Sequence, residues 1–272
     1  MTEKVAVLMA AYNAEKTLAQ AVTSLLDGSH PCKLYIVDDA SRIPVADVLA
    51  PDPRIEVIRL PKNGGPAAAR NAGLKRILDN GHAYVAIMDA DDVSHPERLA
   101  KQVAYLDANP SVAVVGSWER VIDEEGRFVS TVALPCAPDV LRDLLYVKMC
   151  VSHPTWLARA DVFARLGLYA ETYYAAEDYE LIRRIAEYHD VANLPDYLIQ
   201  YRISPGGMSA KNRTRQLLDR LRIQWKYFKW SKRRAWVGLA RTLVLLVVPV
   251  KRSKPDTISA GEAEKLQAMA RG

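Results

Sequence analysis

The sequence predicts an α/β protein with a mostly parallel, Rossmann-like sheet flanked by helices. Two observations support this fold class. Short apolar runs of strand length alternate with helical patterns through the first half of the chain, and this alternation is typical of parallel sheets covered on both faces. The chain also has 272 residues, 50% of them hydrophobic, which is enough for a sizeable core. The composition therefore excludes general disorder.

The individual elements follow from the period of the apolar residues. Runs of strand length cover residues 5–10, 34–37, 55–58, 84–88 and 112–115. Leu18, Val22 and Leu25 repeat at helical spacing after a possible cap at Asn13, and Pro66 and Pro96 each open a further helical pattern. In the second half, extended patterns cover residues 128–134, 154–157 and 196–202, and helical patterns cover 139–146, 161–166 and 176–188.

Cysteine usage indicates a reducing compartment. The three cysteines, Cys32, Cys136 and Cys150, are odd in number and lack the paired spacing of a zinc site. They argue against a disulfide framework. The first residues open directly on a predicted strand, so we expect no signal peptide.

Small, polar and acidic residues follow the predicted strands of the first half. Because the carboxyl ends of parallel strands meet at one edge of a sheet, these residues should gather in one mouth. The most acidic set is Asp89, Asp91 and Asp92, in YVAIMDADDVSHPERL. Such aspartates suit turns and helix caps, or they hold a divalent cation, which converts their repulsion into coordination.

A second loop at the same edge has the sequence NGGP, residues 63–66, and leads into a helix that carries Arg70 in its first turns. NGGP is a turn sequence in its own right. A helix N-terminus with free backbone N–H groups and a nearby guanidinium also suits a diphosphate. Together with the acidic set, the loop favours a nucleotide-diphosphate site.

The helical segment AAEDYELIRRIAEYH carries Glu177 and Asp178 in its first turn. Its predicted buried stripe is Leu181, Ile185 and Tyr188. The acids have two explanations. They stabilise a helix N-terminus electrostatically, or one of them is a general base that takes a proton from a hydroxyl group.

Six segments in this order resemble the family 2 inverting glycosyltransferases of the GT-A fold. They are VAVLMAAYNAEKTLAQAVTSLL, LYIVDDAS, NGGPAAARNAGLKRI, YVAIMDADDVSHPERL, HPTWLARADVFARLGLYAE and AEDYELIRRIAE, within about residues 4–203. The resemblance implies transfer of a sugar from a nucleotide-diphosphate sugar, of UDP or dTDP type, to a cell-surface glycan or a lipid-linked acceptor. It also implies a polysaccharide-synthesis role.

The resemblance implies a role for each donor-site residue. Tyr12 and Asp39 would hold the nucleotide base, and Arg70 would lie near the diphosphate. Asp89 would contact the ribose. Asp91 would bind the metal ion, Mn2+ or Mg2+, which stabilises the leaving diphosphate as a Lewis acid.

The resemblance also implies that Asp178 is the catalytic base, because inversion needs a carboxylate near the acceptor hydroxyl. One departure follows the base helix. Many members have YRxH there, whereas this chain has Tyr201 and Arg202 followed by Ser204 in place of the histidine. His153 is a conceivable substitute for that histidine, although a lone histidine is more often structural.

The chain divides by charge into an acidic body and a basic tail. We expect a catalytic domain over residues 1–210, with a nucleotide-binding half (1–110) and an acceptor-binding half (111–210), followed by a tail over 211–272. Between Lys211 and Lys254 there are 14 Lys and Arg residues and one acid, so this segment has a net charge of 14 − 1 = +13. The rest of the chain therefore has a net charge of 5 − 13 = −8.

The tail combines this charge with an amphipathic, Trp-rich pattern and an apolar stretch of 15 residues, 236–250. That stretch is short for a bilayer span of about 20 residues. The pattern favours a helix lying in a membrane interface, which would place the protein in the cytoplasm at the inner face of the cell membrane. The alternative is a helix packed on the catalytic domain. No base-reading module is visible, so no nucleic-acid partner is expected.

Two other functions remain open at this point. A nucleotidylyltransferase shares the α/β sheet and the acidic metal site, but it normally has a Gly-rich, basic loop after the first strand, where this chain has AAYNAEKT. A non-catalytic membrane-binding module with a degenerate fold is the second alternative. The presence of Asp39, Asp91 and Asp178 together argues against it.

Overall fold

A computed structural model describes residues 3–203 and 212–248. In the described residues the strands are β1 (Val5–Ala11), β2 (Cys32–Asp38), β3 (Ile55–Arg59), β4 (Tyr84–Ile87), β5 (Val93–Ser94), β6 (Val112–Ile122), β7 (Phe128–Val132), β8 (Leu157–Arg159) and β9 (Asp190–Arg202). The helices are α1 (Leu18–Leu26), α2 (Val45–Val48), α3 (Gly65–Asp79), α4 (Arg98–Ala108), α5 (Pro138–Leu144), α6 (Ala160–Leu166), α7 (Glu177–Ala186), α8 (Arg213–Lys226) and α9 (Arg233–Val247).

The strands form one sheet in the order β3-β2-β1-β4-β8-β6-β9-β5, and β7 pairs with β6. Neighbours β3, β2, β1 and β4 are all parallel. β1, β2 and β4 are almost wholly apolar and buried, as expected for parallel strands with helices on both faces. Their carboxyl ends therefore share one edge. The α/β fold class predicted from the sequence is confirmed.

The second half of the sheet is mixed. β8 runs antiparallel to both β4 and β6, while β6 and β9 pair in parallel along their length. β6 continues seven residues beyond the predicted run 112–115, because residues 116–122 pair with β9 and residues 119–122 also pair with β7. This half carries its own polar residues to the edge at which β1, β2 and β4 end.

Two large apolar clusters cover the two faces of the sheet. One contains Leu74 and Ile77 of α3, Trp156 and Leu181. The other contains Leu18 of α1 and residues of α4. The core is thus continuous from the first half of the chain to α7.

Two local predictions are wrong. Residues 154–157 were expected to be extended, but His153–Thr155 form a 3-10 turn and only Leu157 begins β8. Tyr188 was placed in the buried stripe of its helix, but α7 ends at Ala186 and Tyr188 is 72% exposed.

Helices α8 and α9, here called the C-terminal helix pair, pack on the body of the protein. The Gln224 side chain donates hydrogen bonds to the carbonyl oxygens of Tyr146 and Val147 and accepts one from Thr242 of α9 at 2.8 Å. Gly238 lies so close to Tyr146 that a β-carbon there would be 2.0 Å from its carbonyl oxygen. The packing arrangement expected as the alternative is therefore present.

Among the described residues, none of the helices combines the length and apolarity needed to cross a bilayer. The position of Ser204, the residue Lys211 and the end of the basic tail, 249–272, lie outside the described residues.

Candidate active site

A cleft of about 1340 Å³ opens at the carboxyl ends of the parallel strands. Ligands of open α/β sheets bind at this edge. The cleft is lined by all six residues that the sequence singled out: Tyr12, Asp39, Arg70, Asp89, Asp91 and Asp178. They come from the ends of three strands, β1, β2 and β4, and from two helices, α3 and α7, so only the fold brings them together.

The loop after β1 forms one rim of the cleft. Asn13 adopts a positive φ of 51°, which asparagine tolerates better than most residues. Its backbone N–H donates to Ser41 Oγ at 3.0 Å, and its side-chain oxygen accepts the Arg42 N–H at 2.9 Å. These bonds fix the turn that leaves Tyr12 55% exposed at the rim. An exposed aromatic ring there can stack on a planar ligand.

Asp39 is buried and caps the loop before α3. One carboxylate oxygen accepts the Gly64 N–H at 2.7 Å, and the other accepts the Gly65 N–H at 2.9 Å. The expectation that these N–H groups are free for a diphosphate is therefore wrong. The acid itself accepts two of the N–H groups at this helix N-terminus. Each carboxylate oxygen has a second lone pair, so Asp39 can still accept a ligand N–H.

Arg70 of α3 is buried beneath the cleft and joins its two sides. Its guanidinium donates to Glu177 Oε1 at 2.9 Å and to Asp89 Oδ1 at 3.0 Å. Although burial opposes the shift, the charges of Asp89, Tyr169 and Glu177 raise the pKa of Arg70. Arg70 is thus a fixed positive charge between Asp89 and the start of α7, and two carboxylates already accept hydrogen bonds from it.

The acidic corner after β4 is poorly neutralised. Burial and the neighbouring Asp89 raise the pKa of Asp91 to about 6. Burial also raises the pKa of Asp92 well above its usual range, with Asp89 and Asp91 adding to the effect. Asp92 Oδ1 accepts the Arg202 backbone N–H at 2.9 Å, whereas its Oδ2 has no hydrogen-bond partner. Such a buried acceptor without a partner is costly.

This corner fits a divalent cation that is shared with a ligand. Among the described residues, no three His, Cys, Asp or Glu side chains are arranged to hold a metal ion by themselves. Mg2+, however, usually takes one or two protein carboxylates and completes its shell with phosphate oxygens and water. Asp91 lines the cleft beside Asp89, and a cation there would offset the repulsion that raises its pKa.

Glu177 and Asp178 begin α7 at the far side of the cleft. Glu177 is buried, and burial together with the Asp178 charge raises its pKa to about 7. Burial also raises the pKa of Asp178, opposed by the Tyr179 N–H and by Arg70. Asp178 Oδ1 accepts the Tyr179 N–H at 2.7 Å. A half-buried carboxylate with a raised pKa that lines a cleft has the properties of a general base.

Two further polar groups in the cleft were not assigned from the sequence. Glu119 of β6 is buried and accepts a hydrogen bond from Ser152 Oγ, and burial raises its pKa to about 7. Gln216 of α8 also lines the cleft. No local pattern marks Glu119, because residues 117–121, SWERV, do not alternate between polar and apolar side chains. Nothing in the local sequence marks Gln216, because its position depends on how α8 packs.

His153 lines the cleft, but its environment is that of a packed residue. Its Nε2 lies 2.8 Å from the Tyr169 hydroxyl, and its ring packs edge-on against Trp156. Burial and the Arg70 charge lower its pKa well below the usual range. His153 is therefore neutral and already hydrogen-bonded through one ring nitrogen. Its suggested role as a substitute for the family histidine stays a hypothesis, and Ser204 lies outside the described residues.

The family of the chain follows from comparison with known proteins. The model for glycosyl transferase family 2 matches residues 6–167, more than half of the chain. The chain belongs to glycosyl transferase family 2. The match includes the acidic corner and Arg70 but ends before α7, so Glu177 and Asp178 lie beyond it.

Relatives of known sequence agree with this family assignment. The amylovoran biosynthesis glycosyltransferase AmsE of Erwinia amylovora is 36% identical over 147 residues, which are 54% of this chain and 53% of AmsE. The uncharacterized glycosyltransferase MJ1057 of Methanocaldococcus jannaschii is 27% identical over 212 residues, 73% of this chain and 70% of that protein. The chain thus spans only about half the length of AmsE.

Solved structures of GT-A glycosyltransferases share the fold. S. aureus TarS residues 1–349 in complex with UDP-GlcNAc is similar with a TM-score of 0.65 and 19% identity, over 88% of this chain and 71% of that one. The mannosyltransferase PcManGT of Pyrobaculum calidifontis, in complex with GDP-Man and Mn2+, is similar with a TM-score of 0.60 and 16% identity, over 100% of this chain and 80% of that one. At these identities the likeness shows the fold alone, so the family 2 chain has a GT-A fold.

Proposed function

We propose that this family 2 chain is a metal-dependent, inverting glycosyltransferase that moves a sugar from a nucleotide-diphosphate sugar to a glycan or lipid-linked acceptor. The observation that carries the proposal is the convergence of all six candidate residues on one cleft. The nucleotide of the donor is UDP or dTDP in this proposal. UDP-GlcNAc and GDP-Man in the two similar structures support a nucleotide sugar as donor.

The donor occupies the side of the cleft nearest β1, β2 and β4. Tyr12 stacks on the nucleotide base, and Asp39 accepts a hydrogen bond from a ring N–H through its remaining lone pairs. Asp89 accepts a hydrogen bond from the ribose, because its side chain is 33% exposed at the cleft floor. Arg70 holds Asp89 in place from below through the 3.0 Å contact. These residues bind and orient the donor.

The acceptor occupies the side nearest α7. Asp178 accepts the proton of the acceptor hydroxyl as that oxygen attacks the anomeric carbon. The diphosphate leaves from the opposite face of that carbon, so the configuration inverts. The raised pKa of Asp178 brings its basicity closer to neutral pH, where a general base is most effective. Glu177 does not share this role, because its carboxylate is bonded to Arg70.

Mn2+ or Mg2+, held by Asp91, would supply Lewis-acid stabilisation of the leaving diphosphate. The chain's own contribution at this corner is the placement of charge. Arg202 donates its Nε–H to the Asp91 carbonyl oxygen at 2.8 Å and its backbone N–H to Asp92. These bonds hold the loop so that the Asp91 carboxylate faces the cleft.

The nearest alternative, a nucleotidylyltransferase, would use the acidic corner but would not need a base on α7. Titration of UDP and dTDP with and without Mn2+, together with a screen for hydrolysis of their sugar conjugates, tests the proposal. We expect the Asp91→Ala variant to bind nucleotide only at the level that the wild type shows without metal. The matched control is Asp161→Ala, an exposed acid on α6 outside the cleft. Unchanged Mn2+-dependent affinity in Asp91→Ala would refute the metal assignment.

We propose in addition that the C-terminal helix pair rests on the inner face of the cell membrane. One face of α9 is buried against the body through Ala235, Gly238 and Thr242. The opposite face is apolar and exposed: Trp236, Val237, Leu243, Val244 and Val247. Exposed apolar patches of this kind mark contact surfaces.

Aromatic residues and cations extend this face. Trp225, Phe228, Trp230 and Trp236 form one cluster with ring centroids 4.9–5.8 Å apart, and Trp230 is 73% exposed. Tryptophan suits the headgroup region of a bilayer, and basic side chains are attracted to anionic lipid. The charge of the tail, +13 between Lys211 and Lys254, supports an anionic membrane rather than a second copy of this basic segment as the occupant.

A further inference from the structure

Glu119 of β6 is a carboxylate in the cleft to which the proposed function gives no role. Its side chain is 4% exposed and lines the cleft together with Ser152. Ser152 Oγ donates to Glu119 Oε1, and in the parts of the chain that the structure describes this is the one hydrogen bond that the carboxylate accepts. Unlike Oδ2 of Asp92, which is fully buried without a partner, Glu119 Oε2 is accessible from the cleft. Both lone pairs of Oε2 are therefore available to a ligand.

A carboxylate in this position opposes folding. Its hydrogen-bond partner is a neutral hydroxyl group rather than a cation, and burial of a charge without a close opposite charge is unfavourable. A ligand that donates hydrogen bonds to Oε2 would offset that cost. An acid that destabilises the fold and also lines a cleft is a candidate for ligand binding.

The register of the sheet places Glu119 beside the acidic corner. β8 runs antiparallel to β4 and β6, and Leu157 at its start lies opposite Ala86 of β4 and Val115 of β6. From that level the chain continues three residues to Asp89 after β4 and four residues to Glu119 along β6, toward the same edge. Only β8 separates these two strands, so they are about 10 Å apart, twice the usual strand spacing. A single sugar residue can occupy a gap of this size.

The order of the strands matches the order of the parts of a nucleotide sugar. In the proposed function the base lies at the ends of β1 and β2, and the diphosphate lies at the end of β4. The next positions along the sheet are the turn that precedes β8, which begins after Ser152, and then β6 with Glu119. The sugar is the next group of the donor after the diphosphate, so it would reach this pair of side chains.

We propose that Glu119, held in place by Ser152, accepts hydrogen bonds from hydroxyl groups of the transferred sugar, and that this sugar is neutral rather than a uronic acid. This inference rests on the proposed function, since it assigns the sugar of the same donor. Carboxylates accept short, charge-assisted hydrogen bonds from hydroxyl groups. The described residues that line the cleft include nine acids and four Lys or Arg residues, so the carboxylate of a uronic acid would meet charge of its own sign.

Calorimetric titrations in the presence of Mn2+ separate the sugar subsite from the rest of the donor site. The probes are UDP, UDP-glucose, UDP-galactose, UDP-glucuronic acid and UDP-galacturonic acid. For each sugar, the quantity compared is the ratio of the Kd of the UDP-sugar to the Kd of UDP. A change in the fold or in the nucleotide subsite alters both constants and leaves this ratio unchanged, whereas loss of a contact to the sugar changes the ratio.

The proteins are the wild type, Glu119→Ala, Glu119→Gln, Ser152→Ala and the control Glu97→Gln. Glu97 is an exposed acid that pairs with Lys101 and lies outside the cleft. Glu119→Gln keeps one acceptor oxygen and removes the charge, so it separates hydrogen bonding to the sugar from repulsion of an acidic sugar. Ser152→Ala removes the group that orients the carboxylate and leaves the carboxylate itself.

We expect the wild type to have a lower ratio for each neutral sugar than for its uronic acid. Glu119→Ala should raise the ratio about tenfold for the neutral sugar that the wild type binds most tightly, as for loss of a hydrogen bond to a charged acceptor. Ser152→Ala should raise it about threefold. Glu119→Gln should lower the ratio for the uronic acids about tenfold through loss of like charge, and Glu97→Gln should match the wild type.

The outcomes that overturn the inference differ from those that overturn the proposed function. Equal ratios in Glu119→Ala and the wild type for all four sugars would overturn the inference, while Mn2+-dependent binding of UDP would still support the proposed donor. Loss of UDP and UDP-sugar affinity by the same factor would make Glu119 a structural residue. Equal wild-type ratios for neutral and acidic sugars would overturn the assignment of a neutral sugar. A wild type that does not bind UDP would overturn the proposed donor, and this inference with it.

Discussion

The cleft and the C-terminal helix pair use charge in opposite ways. In the cleft, carboxylates crowd together, and the pKa values of Asp91, Glu119 and Glu177 are all raised. On the helix pair, cations outnumber acids and reach across to single carboxylates of the body, as Lys226 does to Glu180 at 2.7 Å. Like charges held close favour ligands of opposite charge.

The comparison shows how one chain can serve two different surfaces. The crowded acids cost stability, and they lie where we propose that a cation and a general base act, an arrangement typical of active sites. The paired cations Lys226 and Lys229 attach the helix pair to α7, while α9 packs on the body through Ala235, Gly238 and Thr242 and leaves its apolar face outward. The function proposed for the first region depends on unfavourable charge, and the membrane contact proposed for the second depends on exposed apolar surface.

Removal of the proposed base is the change with the largest expected effect. Asp178→Asn keeps the shape of the side chain and removes its basicity, so kcat should fall by roughly 10²–10⁴-fold. Nucleotide affinity should stay within about twofold, because Asp178 is assigned to the acceptor side. Steady-state kinetics and nucleotide titration measure the two quantities. A collapse of nucleotide binding with normal turnover of the bound donor would make Asp178 a donor residue.

Removal of a crowded carboxyl group tests the electrostatic cost of the cleft. The pKa of Glu119 is raised from 4.5 to about 7, so between these values the folded state binds more protons than the unfolded state. The folded protein therefore loses stability as the pH rises through this window, and the full cost remains above pH 7. Glu119→Gln should raise the free energy of unfolding by about 1–3 kcal/mol at pH 8 and by little at pH 4.

Urea unfolding at the two pH values measures this difference. Glu125→Gln is the matched control, since Glu125 is an exposed acid in the β6–β7 turn. A change in the free energy of unfolding that is equal at pH 8 and pH 4 would show that the charge of Glu119 does not destabilise the folded state.

Substitutions on the outward face of the helix pair have the smallest expected effect. The side chains of Trp230 and Val247 are 73% and 82% exposed, so Trp230→Ser/Val247→Ser should leave the melting temperature unchanged. Partition into vesicles of phosphatidylglycerol and phosphatidylcholine should weaken about tenfold through lost apolar burial. Flotation at low and high salt gives the measurement. Tyr188→Ser, which removes an exposed aromatic from the end of α7, is the control, and no flotation of the wild type at either salt excludes the membrane.

The strands of the first half were predictable because each is a short, mostly apolar run between turn residues; only the run 55–58 includes a charged residue, Glu56. Their carboxyl-end loops could be located for the same reason, and so Asp39, Asp89 and Asp91 were found. Asp178 came from the resemblance to family 2 rather than from spacing. Its role stays a prediction, since the family match ends at residue 167.

What the sequence could not supply are the contacts made between distant segments. Asp39 and Gly64 are joined by a bond across 25 residues, and Arg70 and Glu177 by one across 107. The first of these contacts overturned the expectation of free N–H groups in the NGGP loop. The packing of α8 depends on Gln224 finding the carbonyl oxygens of Tyr146 and Val147, and no local pattern encodes such a partner.

The Arg70 bridge has a kinetic consequence. Its guanidinium contacts Asp89, where the donor ribose is proposed to bind, and Glu177, the neighbour of the base. A donor that hydrogen-bonds to the Asp89 carboxylate would weaken the contact between Asp89 and Arg70. Arg70 would then interact more strongly with Glu177, and the electrostatic potential at Asp178 would change. Donor arrival would therefore prepare the base before the acceptor arrives. An enzyme with this connection is expected to bind its substrates in order, donor first, and to waste little donor on water.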